Sequence, residues 1–192
     1  MSHVQLYLAE TAAISGRLDH DGIESIMDHL AILRGQGGRL FIAGLGGSAA
    51  NASHATNDFR KLCGIETYCL CDNIAELTAR ANDEGWKTIF DGALHGSRPT
   101  DKDALLILSV GGGSENVSFP LVAVMEYAKR LGMMIFSIVG RDGGYAKTYS
   151  TVCVLVPTVE ASRVTPHTEA FQSVILHAIV SHPKLMINKP KW

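Results

Sequence analysis

Five short runs of nearly unbroken apolar residues punctuate the chain: RLFIAG (39–44), ETYCLC (66–71), ALLILS (104–109), MMIFSIVG (133–140) and TVCVLVP (151–157). A strand with one wet face alternates apolar and polar positions, so continuous apolarity predicts strands covered on both faces, as in a parallel sheet. Segments with helical patterning fall before and between these runs, at 3–17, 22–34, 48–62, 73–80, 84–95, 115–131 and 166–182. Strands and helices therefore alternate. This predicts an α/β fold with a doubly wound, parallel, five-stranded sheet flanked by helices. No linker or low-complexity tract breaks the pattern, and residues 1–192 are expected to form a single domain. The most polar connection, HGSRPTDKD (95–103), reads as a surface loop.

A weak internal repeat adds chemistry to this pattern. LFIAG leads into LGGSAANAS, and LLILS leads into VGGGSENVS. Twice, then, a strand is followed by a glycine turn, a serine and an Asn-bearing segment expected to open a helix. Glycines let backbone N–H groups approach an oxyanion, and a helix N-terminus adds partial positive charge. Gly46, Gly47, Gly111 and Gly112, with the hydroxyls of Ser48, Ser109 and Ser114, are thus expected to form two anion cradles at the carboxyl ends of strands. Gly44, Gly46 and Ala49 also satisfy G-x-G-x-x-A, with Asp72 near the place of a ribose-binding acid. A dinucleotide-binding helix packs on its sheet through small and apolar residues, whereas this one bears Asn51, Ser53, His54, Asn57 and Asp58. The phosphate-cradle reading is therefore preferred.

Composition narrows the classes further. Hydrophobic residues make up 46% of the 192, charged residues 19%, and the formal net charge is -2. That balance gives no basic footprint for nucleic acid or an anionic membrane. The N-terminus lacks the basic and apolar regions of a signal peptide, and no run reaches the roughly 18 apolar residues of a membrane helix. A cytosolic (cytoplasmic) protein is expected. Cys63, Cys69, Cys71 and Cys153 have neither zinc nor disulfide spacing and read as small core hydrophobes.

GLGGSAANASHATNDF, LSVGGGSENV, NDEGW, VGRDGG and TPHTEAFQSVILHAIVSH, in this order and spacing, resemble the SIS (sugar isomerase) domain of the phosphoheptose isomerase family, which acts on sedoheptulose 7-phosphate. The resemblance reaches from the N-terminal helices to about His182. It implies a flavodoxin-like three-layer sandwich, a homotetramer with active sites built between subunits, and a zinc ion. By motif matching, Gly46, Gly47, Ser48, His54 and Asp58 stand where the family has G-G-S followed by H-x-x-x-E, with Asp in place of Glu. Glu169 and His177 stand where it has Q-x7-H. Ser109, Val110, Gly111, Gly112, Gly113 and Ser114 match its phosphate loop S-T-S-G-N-S, two hydroxyls short. Asn51, Asn82 and Asp83 complete the expected substrate-binding set.

The resemblance makes His54, Asp58, Glu169 and His177 the expected metal ligands, and His177 and Asp58 the catalytic proton carriers. Spacing agrees with part of this: His54 and Asp58 are i and i+4, one above the other on a helix. Glu169 and His177 are eight apart, about 12 Å along a helix, so long side chains are expected to reach one ion from either end. The N, O, O, N set suits Zn²⁺, with Mn²⁺, Co²⁺ and Ni²⁺ allowed by ligand type. His167 and Gln172 are second-line candidates, and His20, His29, His95 and His182 read as surface residues. The implied reaction is aldose–ketose isomerisation of a sugar phosphate through an enediolate. The alternatives are a non-catalytic phosphosugar-binding domain, or an isomerase or epimerase of another sugar phosphate. Val4, Leu8, Ile23, Ile26, Leu30 and Leu33 of the helices within 3–34 exceed what a small sheet needs for cover, and are expected at the interface of the oligomer.

Overall fold

A computed structural model describes residues 1–189. Five parallel strands, β1 (Leu40–Gly44), β2 (Thr67–Cys69), β3 (Ala104–Ser109), β4 (Met134–Val139) and β5 (Val152–Leu155), form one sheet in the order β2-β1-β3-β4-β5. Among the described residues, eight α-helices surround it: α1 (His3–Ser15), α2 (His20–Gly35), α3 (Gly47–Lys61), α4 (Ile74–Asp83), α5 (Ile89–Gly96), α6 (Phe119–Arg130), α7 (Gly144–Tyr149) and α8 (Val164–Val180). The expected doubly wound parallel sheet is thus present. No described helix is long and apolar enough to cross a membrane.

The apolar strands divide their side chains between two cores. Leu40 and Ile42 of β1, Leu106 and Leu108 of β3, and Phe136 and Ile138 of β4 pack with residues of α2, α3 and α8. Phe41, Ala43, Leu105, Ile107, Ile135 and Val139 point the other way, against α5 and α6. Period-two alternation thus supplies both faces, which is why neither face could be polar. From β1 the chain runs one way to β2 and then crosses back to β3. The resulting switch point between β1 and β3 opens a crevice at their carboxyl ends.

Several boundaries differ from expectation. The helix expected at 115–131 begins only at Phe119, because Gly112, Gly113 and Ser118 all take positive φ (71°, 83° and 56°) and hold the chain out of helix. Pro120 in its first turn was the legible signal, since proline is tolerated there and not further in. The second half of the sequence repeat is therefore a loop rather than a helix start. Segment 84–95 divides into a 3₁₀ turn, Trp86–Thr88, and α5. The short helix α7 was not anticipated; its run, GYAKTY, is too brief to show a period.

Local chemistry fixes the helix starts. Ser2 and Gln5 form a reciprocal capping box on α1, and Asp19 and Asn73 cap α2 and α4. α3, like α5 to α8, starts with no side-chain cap, and its N-cap is Gly46 at φ 62°. On α2, Ile26, Leu30 and Leu33 are fully buried against this chain's own core, contrary to the expected interface role. Val4 and Leu8 of α1 remain exposed.

Candidate functional site

A cleft of about 620 Å³ lies at the carboxyl edge of the sheet. The turn after β3 supplies Ser109, Val110, Gly111, Gly113 and Ser114, the turn after β4 supplies Arg141, Asp142 and Gly144, and Leu45 and Thr165 come from the ends of β1 and the start of α8. The two turns interlock. Ala146 N–H donates to Gly112 O at 2.9 Å, Tyr145 N–H to Gly113 O at 3.1 Å, and Gly140 N–H to Val110 O at 3.0 Å. A Cβ on Gly112 would lie 1.9 Å from Gly143 O, so only glycine permits this approach. Ser109 Oγ accepts from Gly112 N–H and Ser114 Oγ from Val117 N–H, both at 3.1 Å. Each hydroxyl proton is left to donate elsewhere. Hydroxyl and amide donors around a half-open cleft suit a phosphate or other oxyanion.

A second constellation joins α3 to α8. Asn51, His54 and Asp58 fall on one face of α3. Asn51 Nδ2 donates to Glu169 O (2.9 Å) and to Gln172 Oε1 (3.1 Å), which sets the two helices side by side in the same direction. Further along both, His54 Nε2 lies 3.1 Å from His177 Nε2 and 3.2 Å from Asp58 Oδ2, and His177 Nε2 lies 3.5 Å from the same oxygen. Asn57 Nδ2 donates to the other carboxylate oxygen at 3.0 Å. Asp58 is nearly buried, whereas the imidazoles of His54 and His177 are 57% and 55% exposed. A tetrahedral ion with bonds of 2.0–2.1 Å has ligands about 3.3 Å apart, and this N, O, N triangle has that size. His54, Asp58 and His177 therefore fit a divalent metal with one coordination position left open.

Glu169 does not join them. It is absent from the cluster in which His54, Asp58 and His177 come within 4.8 Å of one another. Its carboxylate lies instead against Gly47, where a Cβ would meet Oε2 at 2.5 Å. Two turns of α8 separate it from His177, more than its side chain spans. The expectation that both ends of this spacing reach one ion is corrected accordingly.

The same contact changes the first cradle. Gly46, Gly47 and Ser48 do not line the cleft, and Glu169 covers Gly47 at the uncapped start of α3. An internal carboxylate thus stands where a phosphate was expected. Ser48 is 1% exposed, and its Oγ has no hydrogen-bond partner among the described residues. Asn51 is spent on the α3–α8 bridge. Asn82 and Asp83 end α4, exposed and hydrogen-bonded to each other at 2.8 Å, and do not line the cleft. Of the expected phosphate residues, Ser109, Gly111 and Ser114 reach it, with Gly112 bracing the turn behind them.

The SIS domain profile matches residues 6–140 of this sequence. The chain belongs to the SIS domain family. It is 30% identical over 195 residues to the phosphoheptose isomerase of Mycobacterium tuberculosis, covering 95% of this chain and 93% of that protein. Among solved structures it superposes on the phosphoheptose isomerase GmhA of Neisseria gonorrhoeae with a TM-score of 0.80 at 21% identity, over 92% of this chain and 94% of that one. The phosphoheptose isomerase of Francisella tularensis gives 0.80 at 20% identity, over 94% and 97%.

Two features of this SIS domain escaped sequence reasoning. Arg141 reaches the cleft from the turn after β4, and its signal was the GRDGG run, where glycine-rich turns place backbone and side chain at a strand end. The other is the pairing of α1 with α8. Glu10 accepts from Arg163 Nε at 2.8 Å and contacts His167 Nε2 at 2.9 Å, and Tyr7 stacks on the same imidazole. The hydrogen bond from Arg163, then that from His167, holds the Glu10 carboxyl down at about 2. The second-line candidate His167 is thus a buried helix tie, away from the His54 cluster. His29 is half-buried and hydrogen-bonded to Ser25 O rather than on the surface. Burial pushes the Cys63 thiol up to about 12, as a core cysteine requires.

Proposed function

We propose that this SIS domain is a phosphosugar isomerase interconverting an aldose and a ketose phosphate, with sedoheptulose 7-phosphate and its aldoheptose isomer as the substrate pair. Kinship over nearly the full chain with proteins named phosphoheptose isomerase supports the isomerase activity. The observation that carries the mechanism is the His54–Asp58–His177 triangle on helices that start beside the cleft.

The phosphate would sit in the turn after β3, held by Ser109, Ser114 and the neighbouring amides, so that remote binding energy positions the sugar. His177 takes the proton from the carbon next to the carbonyl and returns it to the adjacent carbon. Asp58 moves a proton between the two sugar oxygens, so the enediolate closes to the isomeric carbonyl with no net proton gained or lost. His54, Asp58 and His177 would hold a divalent ion, Zn²⁺ first by ligand type, which when bound supplies polarisation of the carbonyl. Nε2 of His177 cannot hold a proton and an ion together, so these are alternative uses of one lone pair. The Oδ1 of Asp58, oriented by Asn57, stays available for the proton in either case.

The test is ligand discrimination followed by exchange. A heptose 7-phosphate at about 100 times its Kd should stabilise the protein by about 2.7 kcal/mol, while the unphosphorylated sugar should not. In deuterated water the wild type should wash deuterium into the position beside the carbonyl. Binding without exchange would leave a phosphosugar-binding domain and remove the catalytic reading.

The assembly proposed is a homotetramer. His54 and His177 are half-exposed and lack an enclosing wall, and Val174, three residues before His177 on the same helix, is 52% exposed. Together with Val4 and Leu8 on α1, these apolar positions suit a face covered by another copy, which would also wall the site. Light scattering at micromolar concentration should give four chains per particle; a monomer that turns over substrate would end the shared-site reading.

A further inference from the structure

The chemistry above leaves a cationic side chain of the cleft, Arg141, unused. Arg141 follows β4 at a φ of 52°, a left-handed conformation that is strained for a bulky residue and that concentrates at functional positions. The backbone around it is over-determined: Gly140 N–H donates to Val110 O at 3.0 Å and Gly143 N–H to Gly140 O at 3.1 Å. This places its side chain across the turn after β3, where a Cβ on Gly111 would touch Arg141 Cδ at 3.9 Å. Arg34, Arg39, Arg80 and Arg163 are engaged by carbonyls or carboxylates and Arg60 and Arg130 lie over tyrosine rings, and none of these, nor Arg17 or Arg98, lines the cleft. The Arg141 guanidinium makes no ion pair or hydrogen bond with any described residue, and lines the cleft.

Charge balance gives it a task. A phosphate monoester carries close to two negative charges at neutral pH. The hydroxyls of Ser109 and Ser114 and the backbone amides donate hydrogen bonds without neutralising it. Asp142, the other charged residue of the cleft, adds to the need for a cation and is held by Gly144 N–H at 3.2 Å. Among the described residues, Arg141 is the only cation lining this cleft.

We propose that Arg141 is the charge-bearing ligand of the substrate phosphate, its guanidinium closing over the β3 turn and selecting dianionic phosphate esters. The proposal rests on the isomerase reading above and adds to it the residue that sets phosphate selectivity. The planar fork suits two phosphate oxygens at once, which a lysine ammonium does not.

Inorganic phosphate titrated by calorimetry into the wild type and three variants tests this. Arg141→Met should raise the phosphate Kd by about 10- to 100-fold, the usual worth of a charge-assisted pair. KM for the sugar phosphate should rise by a similar factor, with kcat changed less than about threefold, because the contact is made equally in ground and transition states. Arg141→Lys should recover part of the loss. Arg141→Gly suits the left-handed backbone, so it should melt at or above the wild-type temperature while losing the phosphate-induced shift, which separates lost charge from a lost fold. Wild-type affinity should also climb through the second ionisation of phosphate, and this climb should vanish in Arg141→Met. If Arg141→Met and Arg141→Gly bind phosphate as the wild type does, while the wild type turns over the sugar phosphate, the assignment of Arg141 is overturned and the isomerase reading stands. A wild type that neither binds phosphate nor turns over a sugar phosphate overturns both.

Discussion

His177→Ala and Asp58→Asn are each expected to lower kcat on the sugar phosphate by about 10² to 10⁴, the usual worth of a positioned acid or base. The geometry makes the pair act together: His177 Nε2 and Asp58 Oδ2 are 3.5 Å apart, and Asn57 fixes the other carboxylate oxygen. KM should change far less, because neither residue lines the cleft assigned to the phosphate. Asp58→Glu is the sharper probe. A longer carboxylate would push into the triangle from α3; faster turnover of a heptose phosphate would mark the native site as short for that substrate, and slower turnover would mark it as fitted to the shorter side chain. Steady-state kinetics with metal content measured in every variant separates a lost base from a lost ligand. Full activity in both His177→Ala and Asp58→Asn would remove this pair from the mechanism.

Zinc supplied at about 1,000 times its Kd is expected to stabilise the chelator-treated protein by about 4 kcal/mol, and His54→Ala to abolish that gain. The expectation follows from three ligand atoms 3.1 to 3.5 Å apart, the spacing of tetrahedral edges. Glu169→Gln should leave zinc binding intact, because the Glu169 carboxylate lies against Gly47 rather than in the triangle. Binding should weaken in acid, since both imidazoles must be neutral to ligate. Melting curves and elemental analysis of untagged protein, with up to one ion per chain, read this without reference to activity. If Zn²⁺, Mn²⁺, Co²⁺ and Ni²⁺ all fail to bind, the three residues form a proton-transfer cluster only.

Much of the architecture lies in local pattern. Runs such as LFIAG and ALLIL are apolar at every position, and only a strand buried on both faces has use for that, so a parallel sheet with helices on each side follows from the residues themselves. The i, i+4 spacing of His54 and Asp58 likewise guarantees their meeting on any helix. Boundaries were less legible where the deciding cause was a backbone angle. The left-handed φ of Gly112, Gly113 and Ser118 delays α6 to Phe119, and no side-chain period announces it.

What joins distant segments was decided by the tertiary structure alone. His177 is 123 residues from His54, and their meeting depends on α3 and α8 packing side by side, bridged by Asn51. Sequence spacing offered Glu169 and His177 as a matched pair on α8, yet the helix rise separates them and the Glu169 carboxylate lies against Gly47 at the start of α3. The repeated glycine turns look alike as sequence. In the fold, an internal carboxylate covers the first, while the second stays open because its glycines lock against the turn after β4. Arg141 enters the site by that same docking. Local propensity fixes which elements form and which faces they bury; which polar groups then share one space is set by the packing of elements far apart in the chain, and no local pattern encodes it.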